Sequence, residues 1–228
     1  MAHWVRKISM QRESVYKELV NAVLSFDSDR VADATRKAID AGEDPVEIIE
    51  QGLTKALRIV GEKYENGEFF LMHLIAAAQP VQKIVKEVLE PEMLRRKTQR
   101  KVLGRIVLGT VAGDIHDIGK NTVGAMLFAA GFETYDIGED VPTEQFVEKA
   151  KEVHAQIIGA SALLSTSLPM QKEIVNAVIA SGLKNKTKLM FGGAPVTKEW
   201  TKEIGGDGYA EDAVEAVKAA KRLLGLDV

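Results

Sequence analysis

Hydrophobic positions in the first ninety residues recur with the period of an α-helix. Between residues 9 and 90, apolar side chains return every three or four positions, and helix-ending and helix-starting signals separate the stretches that carry them. Ala41-Gly42 ends one stretch, Asp44-Pro45 opens the next with an N-cap followed by proline, and Asn66-Gly67 divides the last two. The pattern predicts four amphipathic helices with short connections, which form a small bundle.

From residue 105 onward, short apolar runs alternate with helical patterns. The predicted strands cover 105–110, 132–137, 156–161, 188–191 and 208–209, and the predicted helices cover 123–130, 144–153, 171–180 and 212–224. Strands that alternate with helices indicate a parallel sheet with helices on both faces. Ligands of such folds bind beyond the carboxyl ends of the strands. The loops of interest therefore follow Thr110, Ile137, Ser161, Phe191 and Tyr209.

A polar, basic stretch lies between the two patterns. We predict a transition at Glu90-Pro91 and a flexible, solvated linker over 91–101. The predicted domains are a helical domain, 1–97, and an α/β domain, 98–228. The predicted fold class is α/β, with an N-terminal four-helix bundle followed by a flavodoxin- or Rossmann-like doubly wound five-stranded parallel sheet.

Composition narrows the possible functions. The 228 residues carry a formal net charge of −3, so no basic excess points to nucleic acid or an anionic membrane surface. No apolar stretch reaches the roughly 18 residues that a membrane-spanning helix needs. The absence of cysteine excludes disulfides, thiolate nucleophiles and cysteine-held zinc or iron–sulfur centres. The first ten residues lack the apolar core of a secretion signal, so we expect a cytoplasmic protein.

One loop carries most of the candidate chemistry. It reads Gly113-Asp114-Ile115-His116-Asp117-Ile118-Gly119-Lys120-Asn121 and links the first predicted strand to a helix. An exposed imidazole there can ligate a metal through one ring nitrogen, while Asp114 accepts a hydrogen bond from the other nitrogen. Gly119 would let a flat, bulky ligand approach the backbone. The alternative is a surface loop with a helix cap at Asp117 and a solvated histidine.

Two other kinds of site fit the same loop poorly. A phosphate-binding loop needs four residues between its glycines and a Ser or Thr after the lysine, whereas this loop has five residues and Asn121, with two acids that would repel phosphate. A catalytic zinc site needs further ligands, and His3, His73 and His154 have no ligand spacing relative to His116.

Four motifs, in order along the chain, resemble those of corrinoid proteins. The 113–121 loop looks like the cobalamin-binding signature of methionine synthase and of the corrinoid proteins of anaerobic methyltransferase systems. Ser161-Ala162-Leu163-Leu164-Ser165-Thr166-Ser167-Leu168 resembles that family's Ser-x-Leu segment, and Phe191-Gly192-Gly193-Ala194 resembles its Gly-Gly-Ala turn. Residues 64–71, Tyr-Glu-Asn-Gly-Glu-Phe-Phe-Leu, resemble the part of the helical cap that covers the cofactor. The similarity spans nearly the whole chain.

The resemblance implies a role for each matching residue. His116 would be the lower axial ligand of cobalt, Asp114 would hydrogen-bond it, and Ser167 would extend that relay. Gly119 would lie against the corrin, and the slot for the displaced nucleotide tail would be lined by Ser161, Leu163, Ser165, Gly192 and Gly193. Tyr64, Leu71 and Leu74 would cover the upper face, although Leu71 and Leu74 also fit a bundle core. Ser165-Thr166 stands where some relatives have Thr-Pro, and Tyr64 where methionine synthase has phenylalanine.

The resemblance also implies the reaction and the partners. The cofactor would be cobalamin, as methylcobalamin in its loaded state, and cobalt(I) would take a methyl group from a substrate-specific methyltransferase. A second methyltransferase would pass the methyl group to tetrahydrofolate or a thiol, and a reductive activator would serve the cofactor. The chain has neither a methyl-donor barrel nor cysteines for a thiol-activating zinc, so it would be a carrier subunit rather than a complete enzyme. Methanol, methylamines, betaines and aryl methyl ethers all stay open as donors.

Three other interpretations remain. A cobalamin-dependent sensor would use a similar module, but no DNA-binding domain fits before residue 9 and the net charge is negative. A cobalamin domain of an adenosylcobalamin mutase would generally lack the helical cap. A flavodoxin-like signalling module without cofactor would leave His116 and the 161–167 segment unexplained.

Overall fold

The computed structural model describes residues 2–98 and 100–226, with side chains from residue 12 onward. The chain divides into two compact units, Met1–Lys101 and Val102–Val228. This division lies a few residues after the predicted boundary at 97/98. Within the described residues, no helix combines the length and the hydrophobicity that crossing a bilayer requires.

The first unit consists of four helical rods, and each rod is a continuous helix. Their segments are α1 (Ala2–Leu24), α2 (Ser28–Asp40), α3 (Pro45–Glu47), a π-helical segment (Ile48–Thr54), α4 (Lys55–Glu65), α5 (Leu71–Ile84), a second π-helical segment (Val85–Leu89) and α6 (Glu90–Arg96). The first two rods are α1 and α2, and each of the other two joins two α-helices through a π-helical segment. The side chain of Asp27 caps α2 and that of Asp44 caps α3, because each accepts hydrogen bonds from two backbone N–H groups in the first turn of its helix. Leu19, Leu57 and Leu74 lie fully buried in the bundle. The helix number and the breaks agree with the hydrophobic pattern.

The predicted transition at Glu90-Pro91 is wrong, because the last rod continues to Arg96. Pro91 lies in the first turn of α6, directly after the second π-helical segment, where the hydrogen-bond ladder changes register. A proline at this position has no regular intrahelical N–H to lose. The helix ends instead at Lys97, whose φ of 56° is left-handed, so the connection between the units is shorter than the predicted linker 91–101.

The second unit is a doubly wound α/β sheet. Its elements are β1 (Arg105–Thr110), α7 (Ile118–Ala129), β2 (Glu133–Asp136), α8 (Thr143–Glu152), β3 (Ile157–Ser161), α9 (Leu168–Ala180), β4 (Lys188–Gly192), α10 (Lys198–Ile204), β5 (Gly208–Tyr209) and α11 (Ala213–Leu223). All neighbouring strands pair in parallel, in the order β2-β1-β3-β4-β5. The chain reverses its direction of winding between β1 and β3, which is where a ligand crevice forms in such sheets.

Apolar side chains cover both faces of the sheet. Ile106 and Leu108 of β1 belong to a core with α7 and α11, whereas Val107 belongs to a core with α8 and α9. Three helices differ from prediction. Helix α9 begins at Leu168 rather than Gln171. Helix α7 begins at Ile118 rather than Val123, and α10 is absent from the sequence-based assignment because its seven residues bury only Thr201 and Ile204. The longer α7 places the end of the candidate loop inside a helix.

Candidate functional site

The candidate loop lies beyond the carboxyl end of β1, beside the loop that follows β3. Asp114 joins the two loops, and its side chain is fully buried, whereas the side chain of His116 is 48% exposed. The two strands that carry these loops flank the reversal point of the sheet. The structure therefore brings Asp114, His116 and Ser167 together, although Ser167 is 53 residues from Asp114 in sequence.

Both carboxylate oxygens of Asp114 accept hydrogen bonds. Oδ1 lies 2.8 Å from Nδ1 of His116 and 3.1 Å from its backbone nitrogen. Oδ2 lies 2.7 Å from the Leu163 nitrogen, 3.1 Å from the Leu164 nitrogen and 2.8 Å from Oγ of Ser167. One side of the carboxylate thus holds the imidazole, and the other side holds the β3–α9 loop.

The charge state of Asp114 determines the histidine tautomer. Burial alone raises the pKa of Asp114, but hydrogen bonds from the His116 ring, the His116 and Leu163 amides and Ser167 outweigh it and hold the pKa far below its usual range. An ionised carboxylate only accepts hydrogen bonds, so Nδ1 of His116 carries a proton. In the neutral ring, Nε2 then has a lone pair, which a metal ion can bind.

Exposed apolar side chains lie on the same two loops as the imidazole and its carboxylate partner. Ile115 is 68% exposed and Ile118 is 64% exposed, while Leu163 and Leu164 of the neighbouring loop are each 40% exposed. Exposing so much hydrocarbon on two adjacent loops costs free energy unless a ligand or partner covers it. This surface suits a broad ligand that has an apolar face and carries a metal ion for His116 to bind. Sequence reasoning missed Ile115, Ile118 and Leu164 as candidates, although apolar residues inside an otherwise polar loop were a usable signal.

Small residues line the carboxyl ends of β3 and β4. Residues two apart in a strand share a face, so Ser161 lies on the same face as Gly159, and Gly192 lies on that of Met190. A Cβ on Gly159 would lie 2.6 Å from Leu108 Cδ2 and one on Gly192 2.9 Å from Ala210 O, so side chains there are excluded by close packing. Ser165 is exposed on the β3–α9 loop. The face toward α7 and α11 is thus lined by residues with little or no side chain at the strand ends.

These residues fit a corrinoid. Among residues 2–98 and 100–226, no three His, Cys, Asp or Glu side chains converge to hold a metal ion. A corrin supplies most of the ligands of its cobalt itself, so a site that offers a single protein nitrogen, here Nε2 of His116, would suffice to hold it. A Cβ on Gly119 would meet nothing within 4 Å, which leaves room for a macrocycle over the first turn of α7.

The three residues of the helical unit that the sequence predicts as cofactor contacts differ in exposure. Tyr64 and Leu71 are partly exposed, and Leu71 lies between exposed Phe70 and Met72. Leu74 has no exposed surface, so it contributes to the bundle core. Phe70 and Met72, which the sequence interpretation did not single out, provide the larger apolar surface at this end of α5.

Comparison with known proteins identifies both units. Two family models, each described as a B12 binding domain, match the chain, one over residues 15–89 and the other over residues 104–218. It is 45% identical over 213 residues to trimethylamine corrinoid protein 1 of Methanosarcina mazei, covering 93% of this chain and 98% of the relative. It is 49% identical over 213 residues to dimethylamine corrinoid protein 1 of the same organism, covering 93% and 97%.

Solved structures resemble the chain over a similar extent. The methanol:cobalamin methyltransferase complex from Methanosarcina barkeri matches with a TM-score of 0.82 and 27% identity, covering 93% of this chain and 80% of that chain. A cobalamin-binding protein from Desulfitobacterium hafniense matches with a TM-score of 0.63 and 33% identity, covering 91% and 98%. The fold, the B12 binding domains and the extent of these matches lead to one conclusion: the chain belongs to the family of B12-binding corrinoid proteins.

Proposed function

We propose that this protein is the methyl-carrying corrinoid subunit of a methylamine methyltransferase system. The observation that carries the proposal is the half-exposed imidazole of His116, whose Nδ1 is held by a buried carboxylate and whose loop also carries the exposed Ile115 and Ile118. The relatives named for trimethylamine and dimethylamine support methylamines as the donor class. A bound corrinoid supplies a cobalt centre that accepts and releases the methyl group.

Different residues of the site would contact the cobalt, the macrocycle and the nucleotide tail of the cofactor. His116 would ligate cobalt from below through Nε2, and Gly119 would admit the macrocycle. Ser161, Leu163, Ser165, Gly192 and Gly193 would line the slot for the nucleotide tail. Ser161 and Gly192 support this assignment, because they lie on the small-residue face at the ends of β3 and β4.

Asp114 and Ser167 would control the proton on the ligand. The carboxylate keeps the proton of His116 on Nδ1 and therefore keeps Nε2 available. Ser167, 2.8 Å from Asp114 Oδ2 and also 2.8 Å from the Leu164 carbonyl, ties this acid to the β3–α9 loop. Loss of the Asp114–His116 contact or of the Ser167–Asp114 contact would weaken ligation by His116.

The helical unit would shield the upper face. Tyr64 and Leu71 are the proposed contacts, and the exposed Phe70 and Met72 next to Leu71 support an apolar role for this end of α5. For Leu74 we propose an indirect role, because it packs inside the bundle.

Partners follow from the carrier role. A substrate-specific methyltransferase would load the carrier, and a second one would deliver the methyl group to tetrahydrofolate or a thiol, with a reductive activator restoring inactive cofactor. The similar structure from Methanosarcina barkeri is a methanol:cobalamin methyltransferase complex, which supports the first partner. These steps would take place in the cytoplasm.

Reconstitution tests the axial ligand. The apoprotein is incubated with hydroxocobalamin, reduced to cobalt(II), and examined by electron paramagnetic resonance with and without ¹⁵N-histidine labelling. We expect nitrogen coupling from the protein that changes with the label and disappears in His116→Ala. His154→Asn is the matched control, because His154 is exposed, lies outside the site and has a φ of 53°, which asparagine tolerates. Failure of the wild-type protein to bind cobalamin would overturn the proposal.

The donor class needs a separate assay. The cobalt(I) form of the reconstituted carrier is incubated with purified trimethylamine, dimethylamine or methanol methyltransferases and their substrates, and methylation is followed by the visible spectrum. We expect a methylamine enzyme to load this chain faster than the methanol enzyme does. Preferential loading by the methanol enzyme would refute the methylamine assignment and leave the corrinoid site intact.

A further inference from the structure

The loop that presents His116 has little hydrophobic anchoring. Ile115 and Ile118 on either side of it are more than 60% exposed, and the His116 side chain itself is half exposed. Burial of side chains therefore contributes little to fixing this segment. Its position has to come from hydrogen bonds.

The two ends of the loop are fixed independently of His116. At the start, Asp140 Oδ1 accepts from the Gly113 nitrogen at 2.7 Å, and the Asp140 nitrogen donates to the Asp114 carbonyl at 2.9 Å. At the end, the Asn121 nitrogen donates to the Asp117 carbonyl at 2.8 Å in the first turn of α7. The residues between these anchors, 115 and 116, depend on other contacts.

One such contact comes from the core of the sheet. Thr110, the last residue of β1, is fully buried, and its Oγ1 lies 3.1 Å from the backbone carbonyl oxygen of His116. The backbone of Thr110 is itself fixed, because its nitrogen donates to the Gly138 carbonyl and its carbonyl accepts from the Val141 nitrogen, each at 3.0 Å. The hydroxyl is thus presented to the loop from a rigid position.

The geometry points to Thr110 as a positioning residue for the axial ligand, an inference that rests on the proposed function. The His116 nitrogen and Nδ1 both bond to the same atom, Asp114 Oδ1, so these two contacts alone leave the residue free to pivot about one oxygen. The bond from Thr110 to the carbonyl of His116 adds a third point, on a different atom of the residue. Three points fix the direction in which Nε2 aims.

Wild type and three variants of position 110, Thr110→Ser, Thr110→Val and Thr110→Ala, separate the hydroxyl from the methyl group. Threonine and serine carry the hydroxyl, and valine and alanine lack it; threonine and valine carry the branch methyl, and serine and alanine lack it. Each protein is loaded with hydroxocobalamin and reduced to cobalt(II), and the fraction with protein-nitrogen coupling is measured by electron paramagnetic resonance. Thermal melts of the apoproteins give the stability separately.

We expect the fraction of protein with protein-nitrogen coupling to depend on whether residue 110 carries a hydroxyl, and not on the melting temperature. Loss of one hydrogen bond worth about 1.4 kcal/mol lowers the ratio of ligated to unligated histidine about tenfold, so Thr110→Val and Thr110→Ala should fall together below wild type and Thr110→Ser. If Thr110→Val does not fold, the comparison of Ser with Ala carries the test.

The outcomes distinguish this inference from the proposed function. Equal coupling in all four proteins would overturn the role of Thr110 and leave His116 as the ligand. A fraction that follows the melting temperature would show a merely structural residue. An absence of coupling in wild type itself would instead overturn the axial ligand.

Discussion

Gly193 and Ala162 lie closer together than residues with side chains allow. A Cβ on Gly193 would be 1.9 Å from the carbonyl oxygen of Ala162, and the φ of Gly193 is 123°, where only glycine is comfortable. The neighbouring bond from the Ala162 nitrogen to the Gly192 carbonyl, 3.1 Å, continues the pairing of the two strands just past the end of β3. This contact holds the two loops of the proposed tail slot together.

Gly193→Ala should therefore damage both the fold and the site. Backbone strain and overpacking each cost about 1–3 kcal/mol, so we expect the free energy of unfolding to fall by at least about 2 kcal/mol in urea titrations. Gly182→Ala is the control, since Gly182 has a φ of 73° but nothing within 4 Å of its Cβ position. A loss no larger than that of the control would show that the loops move apart freely.

Asp114→Asn should loosen His116 as well as the loop after β3. The amide offers a single acceptor oxygen in place of two, and its NH₂ group faces donors on one side or the other. We expect a loss of about 2 kcal/mol in stability, together with weaker histidine ligation in the visible spectrum and a changed cobalt redox titration. Ser167→Ala, which removes one contact, should show a smaller effect. An Asp114→Asn protein with the wild-type spectrum and redox titration would refute the relay.

Lys120 and Asp136 form an ion pair of unequal burial. The Lys120 side chain is 3% exposed and contacts the carboxylate of Asp136, which is 49% exposed, and also Asn121 Oδ1 at 2.7 Å. Asp136→Ala leaves a buried ammonium without its counter-charge and should cost about 3 kcal/mol, whereas Lys120→Met removes the buried charge and should cost about 1 kcal/mol. Chemical denaturation of both variants measures the difference, and the reverse order would contradict this account.

Tyr16 should make the fold sensitive to alkali. Burial and a hydrogen bond to Glu43 raise its pKa to about 12, so the folded protein favours the neutral phenol more than the unfolded chain does. The contribution is complete below the unfolded pKa of about 10 and is lost as the pH rises toward 12. Tyr16→Phe should cost about 1 kcal/mol at pH 8 and less near pH 12. If the difference in the free energy of unfolding between wild type and Tyr16→Phe is constant from pH 8 to pH 12, ionisation of Tyr16 is not coupled to folding.

Local signals predicted the elements that local interactions determine. The bounds of β1 and the cap at Asp44 follow from a few neighbouring residues, and the structure has them where the sequence places them. Helix α10 was missed and Pro91 was misread because a seven-residue helix and a proline after a π-helical segment leave only weak local patterns.

Contacts between residues far apart in the sequence could be found only from the structure. The motif identified Asp114 and His116, but not the bonds from Asp114 to the Leu163 and Leu164 amides, about fifty residues away. Backbone amides have no sequence signature, so no pattern could have revealed these partners. The resemblance named Ser167, yet only the fold shows that it shares one carboxylate oxygen with these amides.

Gly119 offers a test that separates binding from stability. It lies in the first turn of α7, its backbone has no positive φ, and a Cβ there would meet nothing within 4 Å. Gly119→Ala should therefore leave the apoprotein as stable as wild type or raise its stability by up to about 1 kcal/mol, because alanine favours helix. If the macrocycle lies over this turn, Gly119→Leu should nevertheless weaken cobalamin binding at least about tenfold, since its side chain occupies the space that the ligand needs. Asn176→Leu, an exposed substitution in α9, controls for added hydrophobic surface. Equilibrium dialysis against hydroxocobalamin measures the affinity, and unchanged binding by Gly119→Leu would place the cofactor elsewhere on the sheet.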